Sequence, residues 1–334
     1  MDLSIVIPTR NRPEDLAKML QSLASAERAE VVFEVLVVDN NSHERLAKQN
    51  RQTVECTELP ARYLQESTPG QSAALNKGIA LARGEIVAFL DDDIVTHSDY
   101  FIGVKRSLEL SADVMGGRVF ATWPFPAPPW ITPDGSLTIS RGPIVAHDYG
   151  DQPKQYDETM RLPVGCNFLC RRELFDRYGV FDVRLGPGAG PGILGGGETD
   201  LLRRFKAAGA RLIYTPWIAV DHPVTPERMT KKYFRFRYFC AGRSVPYTTK
   251  RKFPSIAGIP RYLFRELANS SIKAAAASVS RRSVEAFDHR LHACMVLGSI
   301  YEYARRRFQF QSTSGGSILR TLSSTRSIQR QAAK

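Results

Sequence analysis

The N-terminal part of the chain alternates short apolar runs with segments of helical periodicity. The runs are rich in β-branched residues, which is typical of strands buried on both faces of a sheet. Between them, apolar residues recur at intervals of three and four, which predicts helices at 14–26 and 72–82. The predicted strands are 3–8, 35–39, 62–65 and 85–90.

This alternation predicts an α/β fold with a doubly wound, mostly parallel sheet, because parallel neighbours need crossover helices. Ligands of such sheets bind outside the carboxyl ends of the strands. Polar residues follow three of these ends, at 9–11, 39–42 and 91–93. We therefore expect one crevice to collect all three groups.

The pattern changes after Asp113. A strand is predicted up to Ala121, and a Pro- and Trp-rich segment at 123–142 then shows no clear period, which is typical of functional or mobile loops. The elements predicted beyond it continue the α/β body to residue 227. They are strands near 162–170, 211–214 and 218–221, and helices at 171–178 and 198–208.

The C-terminal third is different in character. Residues 228–311 predict a basic helical extension, interrupted near Pro254 and Pro260. Within it, 284–308 places apolar residues among cationic neighbours, as in a basic amphipathic helix. The Ser- and Arg-rich stretch 312–334 predicts a disordered tail.

Positive charge is concentrated in the same region. Residues 228–334 contain 22 Lys and Arg against 4 Asp and Glu, a balance of +18, whereas residues 1–227 balance at −6, from 24 against 30. Such a region fits a polyanion, either nucleic acid or an anionic membrane surface, and a solvated basic face is the alternative. No stretch approaches the ~20 apolar residues that cross a bilayer. We expect a cytoplasmic protein that lies peripherally on the inner face of the cell membrane if the extension binds lipid.

Three adjacent carboxylates, Asp91–Asp93, follow a predicted strand directly. They repel one another unless a cation or a hydrogen-bond network compensates them. Hard oxygen ligands suit Mg²⁺ or Mn²⁺, whose remaining coordination positions substrate phosphates commonly fill. The alternative is a structural role at the N-terminus of the following helix.

Other polar groups near strand or helix ends also have two interpretations. Asp39 is a candidate to accept hydrogen bonds from a nucleoside, or it forms a turn with the polar residues after it. Glu198 and Asp200 follow three glycines, either as general-base candidates on an acceptor-side loop or as caps of the next helix. His222 follows a strand, where a lone histidine is more often structural than a metal ligand.

Four segments carry a resemblance to a known family. They are SIVIPTRNRPEDLAKMLQSL (4–23), VLVVDNNS (35–42), GQSAALNKGIALARGEIVAFLDDD (70–93), and GCNFLCRRELFDRYGVFD with GGGETDLLRRFKAAG (165–182 and 195–209). Each is weak alone, but their order and spacing together are specific. Over roughly residues 1–245 the chain resembles the bacterial-type, inverting family 2 glycosyltransferases of the GT-A fold. The resemblance implies a catalytic domain at 1–227, with a nucleotide-binding half at 1–113 and an acceptor half at 114–227.

The resemblance also implies a divalent cofactor, Mn²⁺ or Mg²⁺. Asp91 would then face the ribose and the metal, Asp93 would be the principal metal ligand, and His222 would complete the metal shell. Asp91 and Asp92 are also implied in binding the nucleotide sugar. The other residues implied in that binding are Pro8, Thr9, Arg12, Asp39, Asn76, Gly165 and Asn167.

For the general base, the resemblance implies Glu198. The family's acidic motif often has a further carboxylate at the position of Gly197, so that Asp200 stays as the second candidate. The implied reaction is transfer of a sugar from a UDP- or GDP-linked donor to a hydroxyl of a saccharide or lipid-linked saccharide, with inversion, in polysaccharide or glycolipid assembly.

Three other functions are weighed against this reaction. A dinucleotide oxidoreductase would carry G-x-G-x-x-G after the first strand, where this chain has Pro8–Pro13 without a glycine. A nucleic-acid-binding protein is suggested by the basic extension, but no known reader motif accompanies the charge. A related protein that binds the donor without turnover is the third alternative.

Overall fold

The computed structural model describes residues 1–126, 128, 130–131, 144–190, 195–249 and 253–331, the last range without its side chains from 308 onward. Most of the aperiodic segment 123–142 therefore lies outside the described residues. Internal contacts divide the chain into two units, Met1–Arg237 and Tyr238–Lys334. The sequence predicts this division about ten residues earlier, after residue 227.

The first unit contains the alternating elements. In chain order they are β1 (Leu3–Thr9), α1 (Pro13–Ser25), β2 (Phe33–Asn40), α2 (Glu44–Glu55), β3 (Ala61–Glu66), α3 (Gln71–Leu81), β4 (Ile86–Leu90), β5 (Val95–Thr96), α4 (Tyr100–Leu108), β6 (Val114–Thr122), β7 (Lys154–Gln155), β8 (Asn167–Arg171), α5 (Glu173–Tyr178), α6 (Gly197–Ala207) and β9 (Leu212–Pro223). A 3₁₀ turn at Pro226–Arg228 follows, and α7 (Lys231–Thr248) runs across the boundary between the units.

The described strands of this unit form one sheet in the order β3-β2-β1-β4-β8-β6-β9-β5, with β7 beside β9. Neighbours among β1 to β4 are parallel, and so are β6 and β9. β8 lies between β4 and β6 and is antiparallel to both. The predicted α/β fold is confirmed, and the parallel N-terminal group is joined to the second group through an antiparallel strand.

Both faces of the sheet are covered, as the uniformly apolar strands predict. In β1, Leu3, Ile5 and Ile7 belong to one buried cluster that includes residues of α1 and α4, whereas Val6 belongs to a second cluster that includes residues of α3 and α6. This division follows from the alternation of side chains along a strand. The sheet is therefore a rigid platform with helices on both sides, and its strand ends are free to carry polar groups.

The strand register aligns three polar ends of the sheet. Thr9 of β1 pairs with Asp39 of β2. Val6 pairs with Phe89 of β4, so that the carboxylates after Leu90 begin at the level where β1 ends. The predicted crevice at the carboxyl ends of β1, β2 and β4 follows directly from this register.

β8 begins at Asn167, five residues later than predicted, and β9 differs more. The sequence predicts two short strands at 211–214 and 218–221, but β9 is continuous from Leu212 to Pro223. Its pairing with β6 shifts between Gly117 and Arg118, whose partners are Thr215 and Ala219. The extra residues of β9 form a bulge at this point, so that the strand absorbs Pro216 without ending.

The second unit is helical apart from a small hairpin, β10 (Ser255–Ile256) and β11 (Ile259–Pro260). Its helices are the end of α7, α8 (Arg261–Val279) and α9 (Ser283–Gln331). Gly242 of α7 lies against the backbone of Met295, and Gly298 of α9 lies against the backbone of Phe239. These glycines allow α7 and α9 to cross closely, because any side chain at either position would overlap the other helix.

The end of α9 also differs from the sequence analysis. Its backbone is helical through 312–331, where the Ser- and Arg-rich composition predicts a disordered tail. No proline follows Pro260 in the sequence, so the covalent chain contains no residue that interrupts the hydrogen bonding of a helix. Within the described residues, no helix is both long and apolar enough to cross a membrane.

The bulge in β9 generates a stability prediction. Gly103 in α4 lies against the backbone of Trp217, and an added Cβ would overlap the Trp217 carbonyl oxygen. An alanine normally stabilises a helix interior by about 1 kcal/mol relative to glycine. At this position we expect Gly103→Ala instead to lower the free energy of unfolding by about 1–3 kcal/mol, the usual cost of overpacking.

Urea denaturation of the purified variant measures this change. Gly190→Ala is the control, because among the described residues no atom apart from its chain neighbours lies within 4 Å of the added Cβ there. The control should stay within about 0.5 kcal/mol of the wild type. A Gly103→Ala protein as stable as the wild type would show that α4 and the bulge are not packed as described.

Candidate active site

The loop after β4 holds the three carboxylates through contacts with the loop after β1. The Thr9 hydroxyl donates to Oδ2 of Asp92 at 2.7 Å. The Arg12 guanidinium donates to Oδ1 of Asp92 and to Oδ2 of Asp93, both at 3.1 Å. Gln71, at the start of α3, donates to Oδ1 of Asp91 at 3.0 Å. Each carboxylate therefore accepts at least one hydrogen bond, and Arg12 is shared between Asp92 and Asp93.

The end of β9 supplies a second set of contacts. Nε2 of His222 lies 3.7 Å from Oδ1 of Asp93, and the guanidinium of Arg228 donates to Oδ2 of Asp93 at 3.2 Å. His222 is only 4% exposed. Asp93 is thus the point at which β1, β4 and the segment after β9 meet.

Asp91, Asp93 and His222 form a candidate metal centre. One ligand atom from each residue lies within 4.8 Å of the ligand atoms of the other two. Two carboxylate oxygens and one imidazole nitrogen are a donor set that Mn²⁺ and Mg²⁺ accept, with coordination positions left for phosphate oxygens. The residues present therefore fit the divalent ion that the sequence analysis expects.

Electrostatics explain why a cation would stabilise this cluster. Burial, followed by the charges of Asp93, Asp92 and Glu198, raises the pKa of Asp91 to about 8. Burial likewise raises the pKa of Asp92 to about 6, although the Arg12 charge opposes the shift. The pKa of Asp93 is lowered, because the charges of His222, Arg12 and Arg228 outweigh its burial. Two of the three carboxylates thus resist ionisation in the metal-free protein.

A cavity of about 530 Å³ opens at these strand ends. It contains most of the residues that the sequence assigns to the donor and the metal, namely Pro8, Thr9, Arg12, Asp91, Asp92, Asp93 and His222. The other lining residues are Arg10, Asn40, Gln71, Val145, Pro187, Gly188, Arg228, Tyr233, Phe236 and Arg237.

Asp39 is close to the cavity but is occupied by contacts within the protein. Its Oδ1 accepts from the backbone N–H of Ser42 at 3.0 Å, which is the turn weighed as an alternative in the sequence analysis. Its Oδ2 accepts from Asn50 at 2.8 Å and from the Tyr63 hydroxyl at 3.0 Å. Its neighbour Asn40 is the residue of this strand end that lines the cavity.

Two asparagines predicted to bind the nucleotide sugar make structural contacts instead of lining the cavity. Asn76 both donates to and accepts from the backbone of Phe181, at 2.9 and 3.0 Å. Asn167 is fully buried, and its amide donates at 3.0 Å to the carbonyls of Arg118 and Ile218 in β6 and β9. Sequence alone could not separate these roles, because an amide serves a backbone and a ligand equally well.

The two general-base candidates lie two residues apart in α6, and their surroundings differ. The Asp200 carboxylate accepts from Nε of Arg204 at 2.9 Å, and Arg204 also donates to the Tyr178 carbonyl. For Glu198, no side-chain hydrogen bond or ion pair exists among the described residues. A Cβ at Gly165 would lie 3.7 Å from Glu198, so that Gly165 borders the Glu198 side chain.

The cavity residues that sequence reasoning missed include four that follow β9 in the chain. Arg228 lies 135 positions from Asp93, to which it donates. Tyr233, Phe236 and Arg237 are in α7, which the sequence analysis assigned to a helical extension outside the catalytic domain. The only sequence signal was the density of cationic and aromatic residues from Arg228 onward, which does not indicate the direction in which they point.

Comparison with known proteins decides the family. Residues 4–179, more than half of the 334, match the profile of Glycosyl transferase family 2. The chain belongs to this family of glycosyltransferases. Family membership confirms the resemblance seen in the four sequence segments, and the match covers the loops that carry Thr9, Arg12 and the three carboxylates.

Two relatives of this glycosyltransferase are from Haloferax volcanii. Glycosyltransferase AglE is 26% identical over 235 residues, which cover 70% of this chain and 71% of that protein. A glucosyl-dolichyl phosphate glucuronosyltransferase is 24% identical over 249 residues, 73% of this chain and 76% of that protein. Both alignments extend well beyond the residues of the family profile.

A solved structure shares the fold. The mannosyltransferase PcManGT from Pyrobaculum calidifontis, solved with GDP-Man and Mn²⁺, has a TM-score of 0.58 at 16% identity. The alignment covers 90% of this chain and 86% of that protein. The GT-A expectation for the fold of this glycosyltransferase is confirmed by this similarity.

The pKa of Asp91 gives a prediction for the metal-free enzyme. Its folded-state pKa of about 8 lies above the ordinary value of 3.8, so the folded protein keeps a proton that the unfolded chain loses. The free energy of unfolding therefore falls as the pH rises from about 4 toward 8. Asp91→Asn removes this cost, and we expect the metal-free variant to be more stable than the wild type at pH 8 by on the order of 1–3 kcal/mol.

Thermal denaturation in EDTA, measured between pH 5 and pH 8, tests this expectation. The stability difference between variant and wild type should shrink toward pH 5, where the unfolded carboxyl also begins to bind its proton. Asp176→Asn, at an exposed position of α5, is the control and should show no such trend. A destabilised Asp91→Asn protein at pH 8 would mean that the carboxylate is stabilised by contacts rather than strained.

Proposed function

We propose that this glycosyltransferase moves a sugar from a UDP- or GDP-linked donor to an acceptor hydroxyl, with inversion and with Mn²⁺ or Mg²⁺ as cofactor. One observation carries the proposal: two carboxylates and a buried histidine converge within a cavity that arginines also line. Carboxylates with a divalent ion and arginines together match the charge of a nucleoside diphosphate. A metal ion alone would explain the carboxylates but not the arginines, and a phosphate group alone would explain the arginines but not the carboxylates.

Asp91, Asp93 and His222 would hold the ion. When bound, Mn²⁺ or Mg²⁺ supplies a Lewis acid that neutralises charge on the departing diphosphate. Arg12 and Arg228 both donate to Oδ2 of Asp93 and line the same cavity, where they are positioned to donate to phosphate oxygens. Arg228 is our candidate for the basic residue that stabilises the leaving group.

The loop after β1 and the end of β2 form the part of the cavity suited to the nucleoside. Pro8, Thr9 and Asn40 line it, and the Asn40 carbonyl oxygen of the side chain is fixed by the Gly70 N–H at 2.8 Å. We propose that Asp39 holds this part of the cavity in place through its hydrogen bonds to Ser42, Asn50 and Tyr63. It accepts a hydrogen bond from the nucleoside only if the nucleoside replaces one of these three donors.

We propose Glu198 as the general base. The side chain lies close enough to Asp91 to raise its pKa, and no described residue donates a hydrogen bond to it. Asp200, by contrast, is paired with Arg204. In the inverting step the acceptor oxygen attacks the anomeric carbon opposite the diphosphate, its proton passes to the Glu198 carboxylate, and the bond to the diphosphate oxygen breaks.

The acceptor would enter between Val145 and the start of α7. Tyr233 and Phe236 line this side of the cavity, and Phe236 is 51% exposed. Exposed aromatic rings of this kind suit the apolar faces of a sugar or the start of a lipid chain. A lipid-linked saccharide acceptor is also supported by the relative named glucosyl-dolichyl phosphate glucuronosyltransferase. We propose polysaccharide or glycolipid assembly at the inner, cytoplasmic surface of the membrane.

Donor binding without turnover is the alternative function, because the same cavity would bind a nucleotide sugar in either case. The decisive experiment is hydrolysis or transfer with a panel of UDP- and GDP-sugars, with Mn²⁺, with Mg²⁺ and in EDTA. Metal-dependent release of UDP or GDP supports the proposed enzyme. Metal-dependent binding without release would support the alternative, and polynucleotide binding at the same site would refute both.

The metal centre generates the first test by mutation. Asp93→Ala removes a proposed ligand and the shared partner of Arg12 and Arg228, so we expect transfer to be nearly abolished. Mn²⁺-dependent binding of UDP or GDP, measured by calorimetry, should weaken as well. Asp99→Ala is the matched control, because Asp99 is exposed, lies six residues further along and makes no capping bond. Full wild-type activity in EDTA would refute metal dependence.

The general base gives a kinetic test. Glu198→Gln keeps the shape of the side chain but cannot take a proton, so we expect turnover to fall by roughly 10²-fold or more, with donor affinity within a few fold. Asp200→Asn should mainly lower stability, because it weakens the ion pair with Arg204. Steady-state kinetics and thermal denaturation of both variants separate these effects. If Asp200→Asn loses turnover and Glu198→Gln does not, the assignment is reversed.

A further inference from the structure

Helix α8 has two opposite apolar faces. One is buried: Leu263, Ser270, Ala274 and Ala277 are at most 6% exposed. The other consists of Phe264, Ala268, Ile272, Ala275 and Val279, all of which are exposed. Intervals of three and four residues place the second set along one side of the helix.

The exposed stripe is unusual for a surface helix of a globular unit. Phe264, Ile272 and Val279 are 41%, 66% and 85% exposed, and they account for three of the large apolar side chains that the described residues leave open to solvent. Single exposed apolar residues are common on proteins, but an aligned series marks an interaction surface. The helix is long enough, at 19 residues, to present this stripe over about 28 Å.

Basic side chains outnumber acidic ones in and directly after this helix. Residues 261–282 contain five of them against a single acid, Glu266, which is bonded to His292 at 3.1 Å. The five basic residues are Arg261, Arg265, Lys273, Arg281 and Arg282. An apolar stripe on a segment of net positive charge is complementary to a surface that is apolar inside and anionic outside, which is the interface of an acidic lipid bilayer.

Helix α9 does not offer a comparable face over the part that the sequence assigned to the membrane. The sequence analysis predicts a basic amphipathic helix at 284–308. Leu297 and Tyr301 of this segment are exposed, but Phe287, Leu291 and Val296 are at most 4% exposed. They are buried inside the second unit, so that the candidate membrane face moves from α9 to α8.

We propose that the exposed face of α8 lies in the headgroup region of an anionic membrane and attaches the protein to it reversibly. Phe264, Ile272 and Val279 enter the interface, while the basic side chains of the segment remain at or above the level of the lipid phosphates. The proposed function, with its lipid-linked acceptor, explains only why the protein would attach to a membrane. The exposed face of α8 is an observation that does not depend on catalysis.

Vesicle flotation with the full-length protein tests this proposal. The vesicles are either phosphatidylcholine alone or an equimolar mixture with phosphatidylglycerol, at low and at high salt. We expect binding to the mixed vesicles that weakens at high salt, and little binding to phosphatidylcholine.

Two sets of substitutions locate the surface. Changing Phe264, Ile272 and Val279 together to Asp should lower vesicle binding by at least tenfold, because three charges replace the apolar contact. Changing Arg261, Arg265 and Lys273 to Gln should weaken it by roughly 100-fold, since each cation near an anionic leaflet contributes about 1 kcal/mol. The matched controls are Leu297→Asp, an exposed apolar position on α9, and Lys18, Arg45 and Lys48 to Gln, which remove the same net charge from the first unit.

The proposal is overturned if the α8 variants bind vesicles as well as the controls, or if the wild type binds no anionic vesicle. It is also overturned if light scattering shows a dimer that the three Asp substitutions dissociate, because the stripe would then be covered by a second copy of the chain. Donor hydrolysis by each variant is measured in the absence of lipid. Unchanged hydrolysis with lost vesicle binding supports the membrane face, whereas absent hydrolysis in every protein would refute the proposed function and leave the vesicle result standing.

Discussion

Charge repulsion among three consecutive carboxylates is the constraint around which the catalytic unit is organised. Asp91, Asp92 and Asp93 follow the central strand β4, where burial makes ionisation of Asp91 and Asp92 unfavourable. Hydrogen-bond donors and cations from three parts of the chain compensate this repulsion. They are Thr9 and Arg12 at and after the end of β1, Gln71 at the start of α3, and Arg228 after β9. The parallel register of β1, β2 and β4 is what brings the first of these within reach.

The second half of the sheet completes the site because of its irregularity. β9 runs beside β6 and, after a bulge, continues to His222, which pairs in register with Ala121. Because of the bulge, β9 is one continuous strand where the sequence predicts two short ones. His222 therefore approaches Oδ1 of Asp93, while Arg228 and Arg12 both donate to Oδ2, so that each oxygen of this carboxylate has a cationic or titratable partner.

The unit that follows serves a different physical purpose. It places a buried carboxylate, Glu302, among Arg243, Arg305 and the Tyr247 hydroxyl, an ion-pair network that ties α7 to α9. The close helix crossing at Gly242 and Gly298 adds to the rigidity of this unit. A rigid helical unit of this kind can present the outer face of α8 as a fixed surface. Its excess of Lys and Arg makes the charge around that surface positive.

Sequence periodicity determined a great deal about this protein. The strands up to residue 90, the helices between them and the polar strand ends lie within about two residues of their predicted positions. Local patterns suffice here because a strand buried on both faces admits few sequences. The carboxylate triplet was also visible, since its chemistry depends on adjacent residues, and the family resemblance assigned roles to His222 and Glu198.

Tertiary structure alone decided which polar side chain faces the cavity and which serves the fold. Asn76 and Asn167 bind backbone groups, and Asp200 is bound by Arg204, while Glu198 has no such partner among the described residues. The covalent chain gives amides and carboxylates the same donors and acceptors in either role, so the partner is fixed only by packing. The same reason explains why the arginine that reaches Asp93 from 135 positions away, and the apolar face of α8 that stays exposed, could be found only in the folded chain.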